Sequence, residues 1–175
     1  GAEIAREADG AWRIHGVGVG GLMQPAGALD MGNSGTSTRL LMGLVASHPV
    51  TATFVGDASL SRRPMGRVTT PLSLMGAEIT ASPGGRLPLM VRGLCPAVPL
   101  EYRLPVASAQ VQPAILLAGL HPAGLTRAIE PQPTPHHSAR TPRGLGAQLS
   151  TPVHGTPRHP PTRRAARPCA PHTHP

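Results

Sequence analysis

Three stretches combine glycine, hydroxyl, amide and arginine residues just ahead of apolar runs. They are Leu29-Asp30-Met31-Gly32-Asn33-Ser34-Gly35-Thr36, then Gly56-Asp57-Ala58-Ser59-Leu60 running into Arg62-Arg63-Pro64-Met65-Gly66, then Leu104-Pro105-Val106-Ala107-Ser108-Ala109-Gln110. The chemistry they suit is anion binding. A glycine-rich entry to a helix lets backbone N–H groups and the positive end of the helix dipole approach a small anion. Arg63, before Pro64, carries a planar guanidinium able to grip a carboxylate or phosphate through two parallel hydrogen bonds, which a lysine cannot do. Ser108, Ala109 and Gln110 offer a hydroxyl, a backbone N–H and a side-chain amide, enough to hold a phosphate and a neighbouring hydroxyl. Each stretch also has a plainer reading: Asn33 or Ser34 as a helix cap, Arg63 as a solvated surface charge, Ser108 as a capping serine. Asp57 and Glu130 are the carboxylates to weigh as acid–base groups; Asp57 reads as a turn residue and Glu130 as a strand end before Pro131.

The elements that must position these residues follow from periodicity. Arg39 to Ser47 is apolar at helical spacing and Thr51 to Val55 alternates as a strand, with Gly56-Asp57 as a turn. Pro64 suits the first position of a helix whose apolar residues Met65, Val68, Leu72 and Met75 run to a stop at Gly76. Ala77 to Ala81 and Leu87 to Arg92 read as a hairpin around Pro83-Gly84-Gly85. The pattern recurs. Gly1-Ala2-Glu3-Ile4 and Gly76-Ala77-Glu78-Ile79 lie 75 residues apart, Gly146-Ala147-Gln148-Leu149 a further 70, and Leu40-Leu41-Met42-Gly43-Leu44 is echoed by Leu116-Leu117-Ala118-Gly119-Leu120. Such a spacing points to a supersecondary unit used more than once, and the expected class is α/β with sheets packed on helices.

Composition narrows the partners. The net charge is +8, yet all eight acidic residues lie at or before Glu130, so the excess of positive charge belongs to the segment after it. A folded basic face for nucleic acid is not expected. Every basic residue among the 16 is arginine. Cys95 and Cys169 match no metal or redox spacing and are expected as reduced thiols. The adjacent pair His136-His137 and the later His172 and His174 are not expected to bind a metal. No apolar run reaches the ~20 residues that span a bilayer, and Ala114 to Leu120 reads as part of a buried helix. Prolines at 131, 133, 135 and 142 interrupt the second copy, and Pro142 falls well inside its helical stretch. Residues 151–175 are Pro, His, Arg, Ala and Thr with almost no apolar side chain, and are expected to be disordered. The abrupt change resembles out-of-frame translation of a GC-rich gene, which the coding DNA would decide.

Taken in order, the three motifs resemble the EPSP synthase family of enolpyruvyl transferases, most closely its glyphosate-tolerant bacterial class, from residue 1 to about 150. The resemblance implies an inside-out α/β barrel of repeated βαβαββ units, with residues 1–150 as part of the N-terminal domain. It implies transfer of an enolpyruvyl group from phosphoenolpyruvate to the 5-hydroxyl of shikimate 3-phosphate, with no cofactor and no metal, in a cytoplasmic monomer without nucleic-acid or membrane partners. Gly35, Arg63 and Gln110 would then bind phosphoenolpyruvate; Ser108, Ala109 and Gln110 would bind shikimate 3-phosphate; Arg39 would support the site from behind, and Arg62 is left as surface.

The chain departs from the family pattern at several points. The family's Val-Lys-Ser after the glutamine is here Val111-Gln112-Pro113, and its Thr-Arg-Asp-His is here Thr134-Pro135-His136-His137. There is no lysine to replace the one in the family's Gly-Asp-Lys-Ser segment, and the acid–base carboxylate belongs to a second domain. The chain alone is therefore expected to be inactive. Two other readings are open. One is a related enzyme acting on UDP-N-acetylglucosamine. The other is a basic RNA-binding fragment working through residues 151–175, although no aromatic residues are interleaved there for base stacking.

Overall fold

The computed structural model describes residues 1–18, 20–106, 108–120 and 124–131. The expected disordered tail and the Thr134–His137 and Pro142 positions lie outside the described residues.

One repeat is complete. It consists of β3 (Leu29–Asp30), α1 (Gly35–Ala46), β4 (Thr51–Val55), α2 (Ala58–Ser61), α3 (Gly66–Leu74), β5 (Glu78–Ser82) and β6 (Arg86–Arg92). Its strands form one sheet in the order β3-β4-β6-β5, with β3 parallel to β4 and the other neighbours antiparallel. Apart from the single turn α2, this is a βαβαββ unit. It is flanked by a hairpin, β1 (Glu3–Arg6) and β2 (Trp12–His15), and by β7 (Glu101–Arg103), α4 (Val111–Ala118) and β8 (Arg127–Ile129), with β7 parallel to β8. The recurrence in the sequence matches this order: Gly1 and Gly76 each precede the first strand of a hairpin, while α1 and α4 begin at residues 35 and 111, and β4 and β8 at 51 and 127.

Local chemistry sets the boundaries. α1 starts four residues earlier than apolar periodicity suggests, because Ser34 Oγ accepts the Ser37 N–H at 3.2 Å and the Ser34 carbonyl accepts the Thr38 N–H at 3.1 Å. α3 starts at Gly66 rather than at Pro64. The Arg63 N–H is taken by Leu60 O and the Met65 N–H by Gly85 O, so a turn runs through Pro64. Gly76, at φ 98°, ends α3, with the Ala77 N–H returning to Leu72 O as in a Schellman cap. Gly84 and Gly85, both at positive φ, form the expected hairpin turn. Gly56-Asp57 is more than a turn: Asp57 caps α2 through the Leu60 N–H at 2.7 Å.

The core lies between the sheet and the helices. Phe54 of β4 and Leu89 and Val91 of β6 meet Met42, Leu60, Met65, Leu72 and Met75 there, with Ala114 and Ile115 of α4 also buried. α1 crosses α4 where Gly43 meets Ala114, so closely that a Cβ on Gly43 would stand 2.7 Å from Ala114 Cα. Cys95 is disulfide-bonded rather than a reduced thiol, and Cys169 lies outside the described residues. Among the described residues, no helix is long and apolar enough to cross a membrane, and no group of three or more His, Cys, Asp or Glu could hold a metal ion.

Candidate anion site at the entrance of α1

The loop from β3 into α1 is tied down before the helix begins. Gly32, at φ 52°, donates its N–H to Asp30 Oδ1, and its carbonyl accepts the Asp57 N–H at 2.9 Å. This joins the loop before α1 to the loop before α2. Arg63, which follows α2, is thereby brought within reach of Asn33, 30 residues earlier: Arg63 Nη2 donates to Asn33 Oδ1 at 2.8 Å and to Ser59 Oγ at 3.3 Å.

Gly35 is buried at the first turn of α1 between two guanidiniums. A Cβ there would lie 3.0 Å from Arg39 Nη1 and 3.2 Å from Arg63 Nη1, with Leu60 Cδ1 at 3.7 Å. Arg39 Nη1 also donates to Gly35 O at 3.1 Å. Sequence reading placed Arg39 behind the site; the structure places it against Gly35 itself. The four-residue spacing of Gly35 and Arg39 is the signal for this in the sequence, since residues four apart share a helix face. Partial burial, then the positive charges of Arg63 and Arg67, push the Arg39 pKa down. Among the described residues the three ion pairs use Arg13, Arg92 and Arg127, none of them in this cluster. Concentrated positive charge, a helix N-terminus and a missing side chain at Gly35 together suit a compact anion.

Asp57 is the nearby carboxylate. Its pKa is lowered first by the Leu60 N–H, then by the Asn33 amide, with Arg63 contributing least. It is held as an anion and is spent on structure.

The third motif lies at the start of α4. Ser108 is half-buried and repeats the Ser34 arrangement: its Oγ accepts the Val111 N–H at 3.3 Å and its carbonyl accepts the Gln112 N–H at 3.4 Å. Ala109 is exposed, and the half-buried Gln110 makes no capping bond with its side chain. No arginine accompanies this entrance in a hydrogen bond or ion pair among the described residues. Gly35 and Arg63 are thus brought together, while Ser108, Ala109 and Gln110 lead into the neighbouring helix α4, with no hydrogen bond to either of them among the described residues. Shallow depressions of about 440 and 250 Å³ lie elsewhere, around Thr69 and Ser73 and around Thr53 and Met90; neither includes a residue of the anion site.

The profile of EPSP synthase (3-phosphoshikimate 1-carboxyvinyltransferase) matches residues 1–164. The chain belongs to the EPSP synthase family. A 3-phosphoshikimate 1-carboxyvinyltransferase of Novosphingobium aromaticivorans is 73% identical over 153 residues, covering 87% of this chain and 35% of the relative. That of Zymomonas mobilis is 69% identical, covering 86% and 33%. A solved EPSP synthase from Acinetobacter baumannii superposes with a TM-score of 0.82 at 46% identity, over 87% of this chain and 34% of that one. The chain therefore spans about a third of the length of the EPSP synthases it matches, and it shares their α/β fold over the matched part.

Proposed function

We propose that this chain carries the phosphoenolpyruvate side of an EPSP synthase site, serving enolpyruvyl transfer from phosphoenolpyruvate to the 5-hydroxyl of shikimate 3-phosphate with release of phosphate. The observation that carries this reading is the pair of guanidiniums, from Arg39 and Arg63, facing the vacant side-chain position of Gly35. In this reading Gly35, Arg63 and Gln110 hold phosphoenolpyruvate, and Ser108, Ala109 and Gln110 hold shikimate 3-phosphate. The protein acts as a cytoplasmic monomer on small molecules, without nucleic acid or membrane.

The same proposal makes the chain a binding half that does not turn over. General acid–base help contributes about 10²–10⁴-fold to such reactions, and the carboxylate nearest Arg63, Asp57, is engaged by the Leu60 N–H and the Asn33 amide and held in its charged form. The test is calorimetry on the 175-residue chain with phosphoenolpyruvate, beside a phosphate-release assay with both substrates. Phosphoenolpyruvate should bind, and Arg63→Ala should weaken it by about 10- to 100-fold, the usual worth of a charge-assisted hydrogen bond. Unchanged affinity in Arg63→Ala would sink the site assignment; phosphate release above background would sink the claim of inactivity.

A further inference from the structure

We propose that Asn33 is a positioning residue for Arg63, bridging it to Asp57 so that the guanidinium stays aimed at the α1 entrance with its charge uncancelled. The inference rests on the reading that Arg63 meets an anion. It names the group that orients Arg63 and explains why an amide stands there.

The bridge is short at every link. Asn33 Oδ1 accepts from Arg63 Nη2 at 2.8 Å, Asn33 Nδ2 donates to Asp57 Oδ2 at 2.6 Å, and Asp57 Oδ1 accepts the Leu60 N–H at 2.7 Å. A guanidinium only donates and a carboxylate only accepts, so a residue lying between them needs one acceptor and one donor pointing opposite ways. The side-chain amide meets that need while remaining neutral. An aspartate at this position would repel Asp57 and pair with Arg63, and a basic residue would repel Arg63.

The consequence for charge follows. Asp57 and Arg63 are near enough to feel each other, yet Asp57 is stabilised first by Leu60 and Asn33 and least by Arg63. With the amide interposed, no direct ion pair forms between them. Nη2 is occupied by Asn33 and Ser59, and Nη1 is the nitrogen that faces Gly35. The guanidinium therefore has one nitrogen anchored to the protein and another turned to the proposed anion position.

The experiment is a double-mutant cycle on the full chain, reading phosphoenolpyruvate affinity by calorimetry and the Arg63 guanidinium by ¹⁵N NMR. Asn33→Ala should lower affinity about ten-fold, the low end for a hydrogen bond to a charged group. In an Arg63→Ala background it should change nothing further. Asn33→Asp should lose more than Asn33→Ala, because its carboxylate competes with the ligand. In the wild-type chain the Arg63 Nη signals should be resolved by restricted rotation, and in Asn33→Ala they should average. If Asn33→Ala binds like wild type while Arg63→Ala is impaired, the positioning role is overturned and the proposed function stands. If Arg63→Ala also binds like wild type, the proposed function fails. The NMR arm then decides alone for Asn33: averaged signals in Asn33→Ala support the bridge, and unchanged signals overturn it.

Discussion

Two hairpins in this molecule share a sequence signature and a register and differ in almost everything else. β1–β2 pairs Glu3 with His15, Ile4 with Ile14 and Arg6 with Trp12. β5–β6 pairs Glu78 with Arg92, Ile79 with Val91 and Ala81 with Leu89. The positions correspond one to one. Yet Val91 and Leu89 are 0% and 1% exposed, whereas Ile14 and Trp12 are both 63% exposed. The second hairpin also hands its β6 edge to β4 and its inner face to the helices. In the first, Trp12 lies under the Arg6 guanidinium, 5.8 Å from its ring centre. Alternation and turn chemistry suffice to write a hairpin; they do not supply the surface that buries it.

Matched substitutions test that contrast. Leu89→Ala should cost about 3 kcal/mol, within the usual range for emptying a packed aliphatic site, while its counterpart Trp12→Ala should cost less than about 1 kcal/mol. Urea midpoints of the two variants measure the difference, and equal losses would mean that burial is not what separates the hairpins.

The turns come next. Gly84 (φ 77°) and Gly10 (φ 88°) both sit in left-handed conformations, where an alanine costs about 1–2 kcal/mol. Gly84→Ala should lower global stability by that amount, read from the shift of the urea midpoint. Gly10→Ala should leave the midpoint in place and accelerate amide exchange only in β1 and β2, because little global structure depends on that pair.

A smaller effect should follow pH beside the second hairpin, where Gly93 abuts the carbonyls of Val45 and His48. His48 is 1% exposed, its Nδ1 is 2.8 Å from Leu44 O, and burial lowers its pKa below 6.5 against the opposing pull of that bond. The folded state favours the neutral ring, so its contribution is complete above about pH 6.5, the unfolded value, and is lost as pH falls below that through the lower pKa of the folded state. Stability should decline below pH 6.5, and a pH series on His48→Gln should lose that component. The least effect belongs to the exposed Arg92–Glu78 pair at 3.3 Å. Glu78→Ala should cost under about 0.5 kcal/mol, and the cost should vanish in high salt.

Much of the unit was readable beforehand. β4 runs from Thr51 to Val55 as alternation predicts, the Pro83-Gly84-Gly85 turn forms, and Gly76 ends its helix. The proposed anion site was legible only in part. Gly35 and Arg63 were marked by motif and do meet, but the Asn33 bridge was not foreseen, because Arg63 lies 30 residues from Asn33 and Asp57 lies 24. Nor could Ser108 be told apart from Ser34. Each accepts the N–H three residues on with its hydroxyl and the N–H four residues on with its carbonyl, and the difference lies in which arginines arrive from elsewhere in the chain.

Glycines at positive φ, serine caps, alternating apolar residues and pairing register act over a few residues, so they are written in the order of amino acids. Burial of Val91 but not Ile14, and the arrival of Arg63 beside Gly35, Asn33 and Arg39, need segments distant in the chain to share space. Those outcomes arise when the sheet closes on the helices, since desolvation and the summed field of several charges exist only between surfaces already packed together.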